Sequence, residues 1–93
     1  MARPVATKSI AAANTFTDWA EITGEGHVSA SGISDSTVFV QRSFDEGSTV
    51  LDVESFTADF EKVISGSGSR VWYRIGIKTG GYGTDTVVCR VTQ

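Results

Sequence analysis

The sequence predicts an all-β domain: a small antiparallel two-sheet β-sandwich, immunoglobulin- or fibronectin-like in general shape, with about seven or eight short strands. Three observations predict it. Apolar and polar residues alternate in short runs, most clearly where Val71, Tyr73, Ile75 and Ile77 share one face and Trp72, Arg74, Gly76 and Lys78 the other. Turn signals rich in Gly, Ser and Asp separate these runs roughly every 8–15 residues, a spacing that suits a sandwich better than βαβ units. The composition agrees: 93 residues, 40% of them hydrophobic, with ten glycines and a single proline, make one domain with one core joined by tight turns.

Residues 1–8 neither alternate nor follow helical spacing, and read as an N-terminal arm ahead of a single sandwich domain at 9–93. Such an arm is either a frayed terminus or a segment that orders on a neighbouring subunit. In the second case Arg3, Pro4 and Val5 are interface candidates. Residues 9–14 contain Ile10-Ala11-Ala12-Ala13, which favours helix by propensity but is too short for a stable one, so an edge strand is expected. Residues 15–22, aromatic and β-branched, form a better strand that ends at Gly24 and Gly26. In 27–33, Val28 and Ala30 alternate with Ser29 and Ser31, and 34–36 is a turn.

The chain is organised around the next stretch. Residues 37–44 and 50–56 read as the two strands of a hairpin whose loop carries Ser43, Asp45, Gly47 and Thr49 at every second position. An Asp carboxylate accepts backbone N–H bonds two residues on, and Gly takes positive φ without a Cβ clash. Phe56, Phe60, Val63 and Ile64 would share a helical face, but in a β-rich chain residues 57–63 are expected as a strand. Residues 65–69 are a flexible polar loop, 70–78 the clearest strand and 79–83 a glycine-rich turn. Residues 84–92 close the domain with Val87, Cys89 and Val91 inward.

Charge and chemistry narrow the function classes. The net charge of −3 is spread along the chain, without the basic stripe of a nucleic-acid binder. No run of 18 or more apolar residues is long enough to span a membrane. The N-terminus has no apolar signal region and Cys89 has no cysteine partner, so synthesis in a reducing cytoplasm is expected. Cys89 reads as a small core hydrophobe and His27, the single histidine, as a surface strand residue. The eleven carboxylates are scattered, and no pair stands out as the two that glycosidase chemistry requires. The expectation is a non-enzymatic protein with no catalytic, cofactor-binding or metal-binding residues. Trp72 beside Arg74, on the face opposite the core set, is the residue pair favoured at interface hot spots, unless the chain's own loops or arm cover it.

Two resemblances sharpen this. The Ser43-x-Asp45-x-Gly47-x-Thr49 stretch resembles the Asp-box hairpin of sialidase-type propellers, where the box is a folding element away from the active site; here it occurs once, and Val50 stands where an aromatic residue is usual. More broadly, Val38-Phe39-Val40-Gln41-Arg42-Ser43-Phe44-Asp45-Glu46-Gly47, then Tyr73-Arg74-Ile75-Gly76-Ile77-Lys78-Thr79-Gly80, then Val87-Val88-Cys89-Arg90-Val91 resemble a family of small virion proteins of tailed bacteriophages. The resemblance spans roughly residues 26–91, most of the chain. It implies a virion structural role, with synthesis in the host cytoplasm. The leading expectation is a multi-copy capsid decoration (cement) protein that binds the major capsid protein or another virion protein. The alternative is a glycan- or receptor-binding module of a tail or fibre, with Trp72 or Tyr82 as a stacking platform.

Overall fold

A computed structural model describes residues 4–45, 47–65 and 71–92. Nine strands are assigned in chain order: β1 (Pro4–Ile10), β2 (Thr15–Phe16), β3 (Ala20–Ile22), β4 (Glu25–Ser31), β5 (Val38–Ser43), β6 (Leu51–Phe56), β7 (Phe60–Ser65), β8 (Val71–Ile77) and β9 (Val87–Thr92). They form two antiparallel sheets. One is four-stranded in the order β1-β9-β4-β7; the other is five-stranded, β2-β8-β5-β6, with β3 also paired to β8. The two-sheet β-sandwich is thus present as expected.

Its wiring is not the immunoglobulin- or fibronectin-like one. Every connection except β2–β3 and the β5–β6 hairpin crosses from one sheet to the other. The strands pair as a nested ribbon about the hairpin: β5 with β6, β4 with β7, β2 and β3 with β8, β1 with β9. Rolling this ribbon adds the β4–β9 and β5–β8 ladders that complete the sheets. This is the double-sheet jelly-roll arrangement, whereas an immunoglobulin-type sandwich has its first, second, fifth and fourth strands in one sheet and its third, sixth and seventh in the other. The difference arises because strand alternation sets which side chains face inward but leaves the choice of partner strand open.

The inward faces meet in one core. Val38 and Val40 of β5 lie opposite Ile75 and Ile77 of β8 across the sheet, and Val28, Ala30, Val87, Cys89 and Val91 come from the facing layer, all buried. Each such Val or Ile contributes about 1.5–3 kcal/mol by leaving water. Where β6 turns into β7, the Phe56 and Phe60 rings stack with centroids 3.6 Å apart, and Lys62 reaches Glu54 at 2.8 Å. Residues 60–65 are strand, the alternative chosen over helix, whereas residues 57–59 of the strand expected at 57–63 lie in the bend between β6 and β7.

Two boundaries differ from expectation. The arm reading of residues 1–8 gives way for residues 4–8, which belong to β1 and pair along β9 from Pro4↔Thr92 to Ile10↔Val87. Arg3 lies outside the described residues. The edge strand therefore runs earlier than 9–14, and residues 11–14 form the turn after it, with Asn14 at φ 52°. Ile10 decides this: it is fully buried opposite Val87, which ends the strand at the core's edge. The second correction is the single strand expected at 15–22, which is broken into β2 and β3. Thr17 causes the interruption by binding β8 out of ladder geometry, its N–H donating to the Ile75 carbonyl (2.9 Å) and its hydroxyl accepting the Ile75 N–H (3.2 Å).

Candidate functional site

The β5–β6 turn is built by one hydroxyl and one carboxylate. Ser43 Oγ, fully buried, accepts the Gly47 N–H at 2.8 Å and donates to Asp45 Oδ1 at 2.7 Å. Asp45 Oδ1 in turn accepts the Thr49 N–H at 2.8 Å. Ser43, Asp45, Gly47 and Thr49 are thereby brought into a single bonded turn. The Thr49 N–H foremost, then the Ser43 hydroxyl, hold the Asp45 carboxyl below its ordinary value. Gly47 has φ 95°, and a Cβ there would lie 2.7 Å from Trp19 Nε1. Trp19, delivered by the break between β2 and β3, thus sits against the hairpin, where Val50 supplies no ring of its own. The turn displays apolar side chains to solvent: Phe44 is 55% exposed, Leu51 44% and Val50 38%.

Arg74 is held on the outer face of the five-stranded sheet rather than left free. Its guanidinium lies 4.2 Å from the Phe16 ring centre and 4.6 Å from that of Trp19, and its Nε donates to Gln41 Oε1 at 2.8 Å. Burial draws its pKa down from the ordinary arginine value. Gln41 passes the restraint on, donating from Nε2 to Asp52 Oδ1 at 2.8 Å, and Lys78 Nζ holds Asp52 Oδ2 at 2.7 Å. Lys78 first, and Gln41 second, keep the Asp52 carboxyl low. The Lys78 ammonium also lies 4.7 Å from the centre of the Phe39 ring. Thr37, Phe39, Lys78, Thr79, Gly80 and Gly81 enclose a shallow open recess of about 350 Å³ beside that ring.

Trp72 is half-buried on the same face, between Glu21 of β3 and Ser43 of β5. Pro4 and Val5 begin β1 on the other sheet and do not join this surface. Tyr82 is half-buried and packs against the core. Cys89 is fully buried, and burial pushes its thiol up to about 12 against the opposing effect of Arg90. His27 is half-buried on β4. Among the described residues no group of three or more His, Cys, Asp or Glu is placed to hold a metal ion, and no helix is long and apolar enough to cross a membrane.

Sequence reasoning singled out Trp72 and Arg74 but missed Phe16, Trp19, Phe39, Gln41, Asp52 and Lys78. Part of that set was within reach: Phe39 and Gln41 alternate with Val38 and Val40, so they must share the outward face with Arg74 once β5 and β8 pair. Phe16 and Trp19 carried no such signal, because their direction depends on the strand break.

The far end of the sandwich is tied by a second carboxylate system. Asp85 accepts the Ser34 N–H (2.7 Å), the Asp35 N–H (3.3 Å) and the Ser36 hydroxyl; Asp35 accepts the Thr84 hydroxyl (2.7 Å) and N–H (2.9 Å). Desolvation raises the Asp85 pKa, but the Ser36 hydroxyl and the Ser34 and Asp35 N–H groups outweigh it and hold the carboxyl far below its ordinary value. These bonds close the β4–β5 and β8–β9 loops on each other and leave the carboxylates occupied. Comparison with family models, curated proteins and solved structures finds no match to this chain.

Proposed function

We propose that this chain is a non-enzymatic structural subunit of a tailed-bacteriophage particle, a decoration protein that docks on the capsid shell in many copies and resists its opening. The virion assignment rests on the sequence resemblance. The observation that carries the docking mode is the β5–β6 tip, where Phe44, Val50 and Leu51 stand exposed on a turn stiffened by Ser43 and Asp45. A rigid apolar tip loses little conformational freedom on docking, so most of its burial is retained as affinity. Trp72, opposite Ser43 in the ladder, extends the surface inward from the tip. Each bound copy bridging neighbouring shell subunits adds to the free energy needed to open the particle.

The test is sedimentation of labelled protein with particles stripped of it, followed by heating to compare particle survival. The double substitution Phe44→Ser with Leu51→Ser is expected to weaken binding about tenfold or more, the equivalent of ~1.4 kcal/mol, while the domain stays folded. A full-length protein that neither sediments with shells nor protects them refutes the reading. Deletion of residues 2–8 is not a clean probe of docking, because it removes five of the seven residues of β1 and is expected to destabilise the domain itself.

A further inference from the structure

We propose that the recess beside Phe39 is a saccharide subsite that takes one hexopyranose ring of a neutral glycan. It lies on the outer face of the five-stranded sheet, apart from the hairpin tip assigned to shell docking. The Lys78 ammonium lies over the Phe39 ring at 4.7 Å, the residues paired with Phe39 in the ladders are small, Gly76 on β8 and Ser55 on β6, and the ring borders the recess. A half-buried ring with an open flank provides a flat apolar surface for the C–H face of a sugar.

The polar groups around the ring are fixed before any ligand arrives. Asp52 and Lys78 form a 2.7 Å pair, and Gln41, itself bonded to Arg74, anchors the other Asp52 oxygen. Lys78 lines the recess and Asp52 is its bonded partner, so one ammonium donor with a carboxylate beside it is offered to a vicinal diol. Their charges offset, so the pair favours a neutral hydroxyl-rich ligand over an anion. The opposite wall is backbone held in place: the Thr37 N–H donates to the Gly81 carbonyl (2.8 Å), and the Gly81 N–H to the Lys78 carbonyl (2.9 Å). A side chain at Gly81 would press on the Thr37 and Lys78 carbonyls, at 3.2 and 3.3 Å from its Cβ, so glycine keeps the wall low and the recess open. The volume of about 350 Å³ accommodates one sugar ring.

The experiment is an NMR titration of the whole chain, labelled with ¹⁵N, with methyl glycosides of glucose, galactose, mannose and N-acetylglucosamine and with short oligosaccharides of each. Shifts confined to the amides of Phe39, Lys78 and Gly81 are expected with at least one sugar. Phe39→Leu, which keeps an apolar side chain but removes the flat ring, should weaken that binding about tenfold with the melting temperature unchanged. Lys78→Gln should weaken it less. The Phe44→Ser, Leu51→Ser protein should bind sugar as the parent does, so failure of the subsite and failure of shell docking are read separately. No shift with any sugar overturns the proposal; so do shifts produced by inorganic phosphate or sulfate alone, which would make Lys78 an anion site.

Discussion

The two ends of the sandwich solve the same problem with the same chemistry at different ranges. At one end Asp45 and Ser43 tie a turn whose bonded partners are 2 to 4 residues apart in the chain. At the other, Asp35 and Asp85 clasp two loops across separations of 49 to 51 residues. In both, a carboxylate satisfies backbone N–H groups that would otherwise lack partners. The local turn can form before the rest of the domain, and it sits at the centre of the nested strand ribbon. The clasp can form only after the ribbon has rolled. The turn depends on neighbours in the chain and the clasp on the assembled sheets, so the two should respond differently to substitution.

The largest effect is expected at the clasp. Asp85→Ala strips the Ser34 and Asp35 N–H groups and the Ser36 hydroxyl of their acceptor at once, and should cost about 2–3 kcal/mol in denaturant melts. A midpoint equal to the parent's would show that the loops hold without it. Next comes Gly47→Val at the hairpin. The positive φ and the close approach of Trp19 both oppose a β-branched side chain, so a loss of about 1–2 kcal/mol is expected. Because the sites lie at opposite ends, the double variant should show the sum of the two losses within about 0.5 kcal/mol. A clear departure from additivity would mean that the ends are coupled through the sheets.

Acid tests both ends together with the outer face. Asp45, Asp52 and Asp85 all have depressed pKa values when folded, against an ordinary value of 3.8. At low pH the unfolded chain therefore binds more protons than the folded one. Their contribution is complete above that ordinary value and is lost as pH falls through the lower folded values. Melting temperature should be level from neutral pH down to about pH 5 and drop steeply below about pH 4. A level profile into stronger acid would contradict the bonding described for these carboxylates.

The smallest effect concerns the layer between the two ends. Cys89, with its pKa raised from 9.0 to about 12, contributes stability that is complete below 9.0 and lost as pH rises toward about 12. At neutral pH it should label slowly with a thiol reagent when native and rapidly in denaturant. Equal rates would show that β9 does not present Cys89 to the core.

How much of this was legible follows the same division by range. The inward set of β8, the inward set of β9 and the Ser43–Asp45–Gly47–Thr49 turn could be read from alternation and spacing, because each depends on neighbours a few residues away. The clasp could not, since Asp35 and Asp85 each look like ordinary turn residues until their loops meet. Arg74 was singled out beside Trp72, but its contacts with Phe16 and Trp19 could not be read, because no local pattern shows that β2 and β3 both pair with β8. The edge strand was placed too late in the chain because Pro4 and the polar residues after it do not alternate; β9 recruits them through backbone bonds, which any residue except proline can donate.

Alternation and turn chemistry act over a few residues, and they suffice for an all-β chain, for the inward faces of β8 and β9 and for the position of the central hairpin. The jelly-roll order of the strands, the Asp35–Asp85 clasp, and the assembly of Phe39, Gln41, Asp52, Arg74 and Lys78 on one face emerge only when the strands pack. Backbone ladders are nearly indifferent to which strands they join, so the choice of partners is made by burying all the apolar faces at once.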